Sequence, residues 1–235
     1  MTNQVALNVD CIEYMRSMPD KYFDLAIVDP PYGDGCSQSV QVEREREREQ
    51  YNRFSRPGGM FERYKGFENR GELVCEVRKK IIAWDIAPKQ EYFTELFRVS
   101  KHQIIWGGNY FALPPTRCFI VWRKTNVPTE GFSLAPAEYA WTSFNQNAKV
   151  FEFSASGQEF RFHPTQKPIE LYEWTLKNFS KPGYKILDTH LGSGSSRIAC
   201  YRYGLDFVGC EIDKEYFDKQ EERFAYYTRQ TSIFD

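Results

Sequence analysis

The sequence has only three histidines in 235 residues, and none of its six cysteines (Cys11, Cys36, Cys75, Cys118, Cys200, Cys210) sits in a CxxC pair or a Cys/His cluster of ligand spacing. No metal is therefore expected, and the thiols read as buried groups in a reducing compartment. The N-terminus lacks a basic-then-apolar pattern, and no run approaches the roughly 18 apolar residues of a membrane span. A soluble, cytoplasmic chain with no membrane partner is the expectation. A formal net charge of -1 gives no global positive field, so a polyanionic partner would have to be met by local patches. Internal repeats are absent as well.

What is present is a core and an alternation. At 41% hydrophobic and 17% aromatic, the chain can bury one sizeable core. Val5 to Val9 reads as a strand, Ile12 to Met18 as a helix with Ile12 and Met15 inward, and Phe23 to Val28 as the next strand. The pattern then fails until about Ile81, in a glycine-broken polar stretch holding the charge-balanced run "EREREREQ" (43–50). That run is a solvated segment or, through Arg44, Arg46 and Arg48, a phosphate contact. Order returns with a helix carrying Phe93, Leu96 and Phe97, a strand from Gln103 to Trp106, and strands in 117–124 and 137–143. A helix follows from Pro168 with Ile169, Tyr172, Leu176 and Phe179 on one face, then strand, glycine turn, helix and a strand ending in acids. Such alternation implies an α/β domain with a mainly parallel sheet, whose ligands gather at the carboxyl ends of the strands.

Two stretches carry chemistry. In "LAIVDPPYGDG" (25–35) a buried strand runs into Asp29-Pro30-Pro31-Tyr32. Proline has no N–H and a fixed φ, so the pair ends the ladder and stiffens the backbone while leaving its carbonyls free to accept; a rigid turn alone would look the same. In "KILDTHLGSGSS" Gly192-Ser193-Gly194 follows Asp188 and opens a helix, so a ligand can approach the backbone closely. No Gly-Lys-Ser/Thr follows, which excludes a P-loop, and Arg197 stands where GxGxxG needs its third glycine. Glu211 ends the next strand, where its carboxylate can accept both hydroxyls of a ribose; one nucleoside without a pyrophosphate suits this arrangement better than a dinucleotide.

Asp29-Pro30-Pro31-Tyr32, then His163-Pro164-Thr165-Gln166-Lys167-Pro168, then "LDTHLGSGSS" with "VGCEID", together and in this order, resemble the β class of S-adenosylmethionine-dependent DNA amino-methyltransferases. The resemblance implies a circularly permuted, Rossmann-like methyltransferase fold with a seven-stranded, mainly parallel sheet and flanking helices. It implies a single catalytic domain over 1–235, interrupted at about 33–80 by a mobile loop and at about 125–160 by a candidate target-recognition region. Asp188, Gly192 and Gly194 would line the methionine part of the cofactor, with Thr165 and Lys167 near its carboxylate, and His190, Ser193 and Ser195 would belong to the same cofactor site. Glu211 would hold the ribose, and Asp10 with Cys11 would meet the adenine. Asp10 also stands where a helix cap belongs, and Lys167 would equally suit a surface. Members of the family usually have Asp-Pro-Phe before the glycines; here it is Asp188-Thr189-His190, with imidazole in place of an aromatic.

The implied reaction is site-specific methylation of adenine N6 in double-stranded DNA, in a restriction-modification or phage setting. Asp29 and the Pro30 carbonyl would accept from the target amine, and Tyr32 would stack an extruded base. The alternatives are cytosine N4, a glutamine side chain (for which Asn would be expected at position 29), or a relic that holds DNA without turnover. No Pro-Cys nucleophile is present, which argues against cytosine C5. Arg123, Lys124 and Arg161 are candidate DNA contacts, and the resemblance also allows a homodimer.

Overall fold

The computed structural model describes residues 2–33, 86–129, 135–155, 162, 163 and 165–231. The run at 43–50, Cys36, Cys75, Arg161 and nearly all of the 33–80 segment lie outside the described residues. The chain divides into two compact units, 1–30 with 88–235 and 31–87. Of the second unit only the ends are described, and Gly33 (φ +68°) and Ala87 meet there, since a Cβ on Gly33 would lie 2.5 Å from Ala87 N.

In the first unit eight strands form one sheet. In chain order they are β1 (Gln4–Leu7), β2 (Phe23–Val28), β3 (Ser100–Trp106), β4 (Phe119–Lys124), β5 (Ala137–Thr142), β6 (Lys149–Phe153), β7 (Lys185–Asp188) and β8 (Asp206–Cys210). Their spatial order is β1-β8-β7-β2-β3-β5-β4-β6, and all pairings are parallel except those of β5 with β3 and β4. The sheet thus has one strand more than the seven expected. The extra strand is β6, in the stretch assigned to recognition; its burial alternates between half-buried and exposed, with Phe151 and Phe153 packed against the main core cluster from the sheet edge.

Among the described residues the α-helices are α1 (Cys11–Ser17), α2 (Gln90–Val99), α3 (Ile169–Phe179), α4 (Ser195–Arg202) and α5 (Lys214–Thr231). Asp10 starts α1 by accepting from Ile12 N at 2.7 Å and Glu13 N at 3.1 Å. Arg98 of α2 closes its other end by donating to Met15 O and Met18 O, both at 2.8 Å. Pro168 sits at the N-cap of α3, one position earlier than expected, and Gly194 caps α4 at φ +74°.

Both faces of the central strands are buried, as a covered parallel sheet requires. Leu25 and Ile27 of β2, with Ile104 and Trp106 of β3, face the cluster that holds Leu176 and Phe179 of α3 and Ile198 of α4. Ala26, Val28 and Ile105 face the opposite cluster with Met15 of α1 and Phe93 and Leu96 of α2. Cys118, Cys200 and Cys210 are buried and Cys11 is half-buried, all four as free thiols. Among the described residues no helix is long and apolar enough to cross a membrane.

Candidate active site

β7 and β2 are adjacent at the middle of the sheet, yet the chain leaving β7 goes to β8 on one side and the chain leaving β2 goes to β3 on the other. Crossovers that diverge in this way open a cleft at the carboxyl ends of the two strands. Asp188 ends β7, and Asp29 and Pro30 follow β2 directly.

The glycine turn after β7 is built around Glu211. Its Oε2 accepts from Gly192 N at 2.8 Å and its Oε1 from Asp213 N at 2.9 Å, which orients the carboxylate and leaves each oxygen a further lone pair. Burial raises the Glu211 carboxyl above its ordinary range despite these bonds. Gly192 favours glycine for its left-handed backbone (φ +51°), and a Cβ there would press on the His163 ring at 3.3 Å. Arg223 of α5 donates to Ser193 O at 2.6 Å and to Ser195 Oγ at 3.0 Å, and Ser195 Oγ donates to Lys167 O at 2.8 Å. These bonds tie the turn to the His163–Pro168 segment.

Asp188 is buried, accepting from Ser196 Oγ at 2.5 Å and His190 N at 3.1 Å. Burial outweighs those bonds and, with Asp29 and Glu211 nearby, pushes its carboxyl up to about 7. The departure from Asp-Pro-Phe has a structural counterpart. Thr189 Oγ1 bridges Tyr92 OH at 2.6 Å and His190 Nδ1 at 2.9 Å, and the imidazole meets the Tyr92 ring edge-on at 5.4 Å. Burial pushes His190 down to about 4, so near neutral pH it is an uncharged ring.

Position 197, where a dinucleotide fold needs glycine, holds a buried arginine. It donates to Glu221 at 2.7 Å, Gln220 at 3.1 Å and Gln4 O at 3.0 Å, and lies over the Phe224 ring at 3.9 Å. The side chain thus ties α4 to β1 and α5.

Asp29 is held by Lys167, whose Nζ donates to Oδ2 at 2.5 Å; the two side chains are 15% and 5% exposed. The same ammonium lies 3.2 Å from Glu138 and 5.5 Å from the centre of the Trp106 ring. Burial lowers the Lys167 ammonium, but Asp29 and Glu138 more than offset it, so the net direction is upward. Lys167 is neither a surface charge nor an isolated cation; it is engaged with two carboxylates. Glu138 was not singled out by the sequence, and nothing local could have marked it, since its partners are 29 residues or more from it or on another strand.

Other expected residues fall as follows. Asp10 is the α1 cap described above; Cys11 begins that helix, its thiol pushed up to about 12 by burial and by Asp10. Thr165 is exposed, with its hydroxyl 3.2 Å from His163 Nδ1. Pro30 is buried in the first unit, whereas Pro31 and Tyr32, both half-buried, open the second. Arg123 pairs with Glu152 at 2.6 Å and Lys124 with Glu138 at 2.7 Å. The Arg123 pair is exposed at the surface, whereas Lys124 is largely covered.

This strand order, with a glycine turn on β7 and an acid after β8, is that of the Rossmann-like methyltransferases. The PvuII DNA methyltransferase (cytosine-N4-specific) matches with a TM-score of 0.56 at 14% identity, over 97% of this chain and 93% of that one. The M1.HpyAVI–SAM complex matches with a TM-score of 0.50 at 19% identity, over 93% and 98%. At these identities the likeness concerns the fold. The sequence profile of the DNA methylase family (N6/N4 type) matches residues 88–222. YubD of Escherichia coli (strain K12), named as a methylase, is 32% identical over 92% of this chain and 88% of its own length. The chain belongs to the N6/N4 DNA methylase family.

Proposed function

We propose that the protein transfers a methyl group from S-adenosylmethionine to the N6 amino group of adenine in double-stranded DNA. The observation that carries this reading is the anchored Asp29, a carboxylate fixed by Lys167 at the mouth of the cleft between β2 and β7. The exocyclic amine is a poor nucleophile because its lone pair is delocalised into the ring. Acceptors on its N–H bonds favour the tetrahedral nitrogen of the transition state, and they act most strongly when fixed beforehand. Asp29 and the Pro30 carbonyl would supply them, and the motif adds Tyr32 as the residue type that would stack a base drawn out of the duplex.

The residues of the cleft fit the cofactor. Asp10, Asp188 and Glu211 stand after β1, at the end of β7 and after β8, so each part of a nucleoside-bearing ligand laid across these strand ends would meet an acceptor. Bound S-adenosylmethionine supplies an electrophilic methyl group. Glu211 would accept from the ribose hydroxyls, Asp10 and Cys11 would border the adenine, and the turn from Asp188 to Ser195, with Thr165, would enclose the methionine part. Lys167 is better placed to hold Asp29 than to reach a cofactor carboxylate.

Adenine is preferred over cytosine because Asp, not Ser, precedes Pro30-Pro31. Restriction-modification and a cytoplasmic setting belong to the same reading, and a homodimer is compatible with it. Incubating the protein with duplex DNA and labelled cofactor, then digesting to nucleosides, decides the target. N6-methyladenine is expected; N4-methylcytosine would replace adenine by cytosine, and no transfer with retained DNA binding would indicate a relic.

A further inference from the structure

Behind Asp29 runs a chain of alternating charges contributed by four separate parts of the fold. Asp29 follows β2, Lys167 precedes α3, Glu138 stands near the start of β5, and Lys124 ends β4. Lys167 Nζ lies 2.5 Å from Asp29 Oδ2 and 3.2 Å from Glu138 Oε2, and Lys124 Nζ lies 2.7 Å from Glu138 Oε1. Indole rings line the chain, Trp106 beside Lys167 at 5.5 Å and Trp122 beside Lys124 at 5.3 Å. The four formal charges sum to zero. Ion pairs removed from water are poor devices for stability alone, because desolvation offsets their attraction.

We infer that Glu138, with Lys124 behind it, is a positioning residue for methyl transfer: it divides the pull of Lys167 so that Asp29 is fixed in place yet remains a strong acceptor for the target amine. The inference rests on the reading of Asp29 as that acceptor. With both carboxylates present, the Lys167 ammonium is shared between them. Without Glu138 it bonds to Asp29 alone, which draws charge from the oxygens that must receive the amine and frees the ammonium to swing with the side chain. Without Lys124, Glu138 bonds to Lys167 alone and draws it away from Asp29. The role is indirect, because Glu138 reaches the reacting nitrogen only through Lys167 and Asp29.

The test is a kinetic cycle on the full chain with duplex DNA and S-adenosylmethionine, normalised to folded protein. Glu138→Gln keeps the shape and removes the charge; its kcat is expected to fall by about ten- to a hundredfold, the range for a slightly misplaced reacting group. Its KM for cofactor should stay within about twofold, a split that a loosened fold would not give. Because Glu138 acts through Lys167, Glu138→Gln added to Lys167→Met should cost nothing further, whereas independent roles would multiply. Lys124→Gln, at the outer end of the chain, should lower kcat in the same direction by a smaller factor, and supplies the readout should Glu138→Gln fail to fold. A kcat near wild type in the Glu138 variant, multiplicative losses in the double variant, or an unaffected Lys124 variant in place of an unfolded Glu138 variant would each overturn the inference. Asp29→Ala, run alongside, separates the two levels. If it keeps turnover, the reading of Asp29 fails; if it abolishes turnover while Glu138→Gln does not lower it, only the role of Glu138 fails.

Discussion

Asp188 and His190, two residues apart at the end of β7, should give the protein a stability that barely changes between about pH 4.5 and 6.5, and either substitution alone should tilt it. Burial first, then Asp29 and Glu211, pushes Asp188 from its ordinary 3.8 to about 7. The folded chain therefore holds that proton more tightly than the unfolded chain does. The resulting stability is complete below pH 3.8 and is lost as the pH rises through about 7. Burial pushes His190 the other way, from 6.5 to about 4, so its contribution is complete above pH 6.5 and is lost as the pH falls through about 4. Across the shared window each contribution changes by about 3 kcal/mol, at about 1.4 kcal/mol per pH unit, with opposite signs. His190 is partly exposed, which trims its share; Glu211, also raised, adds to the Asp188 side, and His102, lowered by burial, adds to the His190 side. The wild-type profile should thus be nearly flat. Asp188→Asn leaves the histidine slope, so that variant should gain about 2–3 kcal/mol from pH 4.5 to 6.5, and His190→Phe should lose a similar amount. Urea unfolding at four or five pH values in one ionic strength measures all three. If both variants run parallel to wild type within about 0.5 kcal/mol, the two groups do not titrate as their burial requires.

Glu211→Ala should weaken S-adenosylmethionine binding by about 1.5–3 kcal/mol in calorimetry, through loss of charge-assisted bonds. Unchanged affinity would remove Glu211 from the pocket. Gly192→Ala should be destabilised by about 1–2 kcal/mol for its left-handed backbone, and should lose cofactor affinity as well because its Cβ meets the His163 ring; a melting temperature and affinity like wild type would contradict the close packing. Asp29→Ala should cost about 2.7–4 kcal/mol or more of transition-state stabilisation while leaving cofactor affinity largely intact. Turnover above about a tenth of wild type, equivalent to only 1.4 kcal/mol, would reduce Asp29-Pro30-Pro31 to a rigid turn.

Much of the site was legible because its logic is local. An apolar run ending in Asp29-Pro30-Pro31, a glycine pair between a strand and a helix, an acid closing the next strand and the stripe of Ile169, Tyr172, Leu176 and Phe179 are all patterns within a dozen residues. Backbone sterics and side-chain period write such patterns directly into the chain. Those elements stand where the patterns put them, within a residue or two. The edge strand β6 and the long helix α5 were not read. β6 is short, five residues with only a weak half-buried/exposed alternation, and α5 is mostly polar and follows the last motif.

The partnerships of charged side chains belong to tertiary structure alone. Lys167 lies 138 residues from Asp29, and no periodicity connects them. Only the fold, which sets β2 and β5 on either side of β3 and brings the start of α3 to them, places their charges within hydrogen-bonding distance. Arg197 likewise shows in the sequence as a missing glycine, whereas the fold makes it the tie between α4, β1 and α5. Composition and local order determined which strands and turns this chain makes. Which acid faces which base, and so which carboxylate is fixed for the reaction, was decided when the sheet brought distant ends of the chain together, because burial strengthens a charge pair only where water is excluded from both partners.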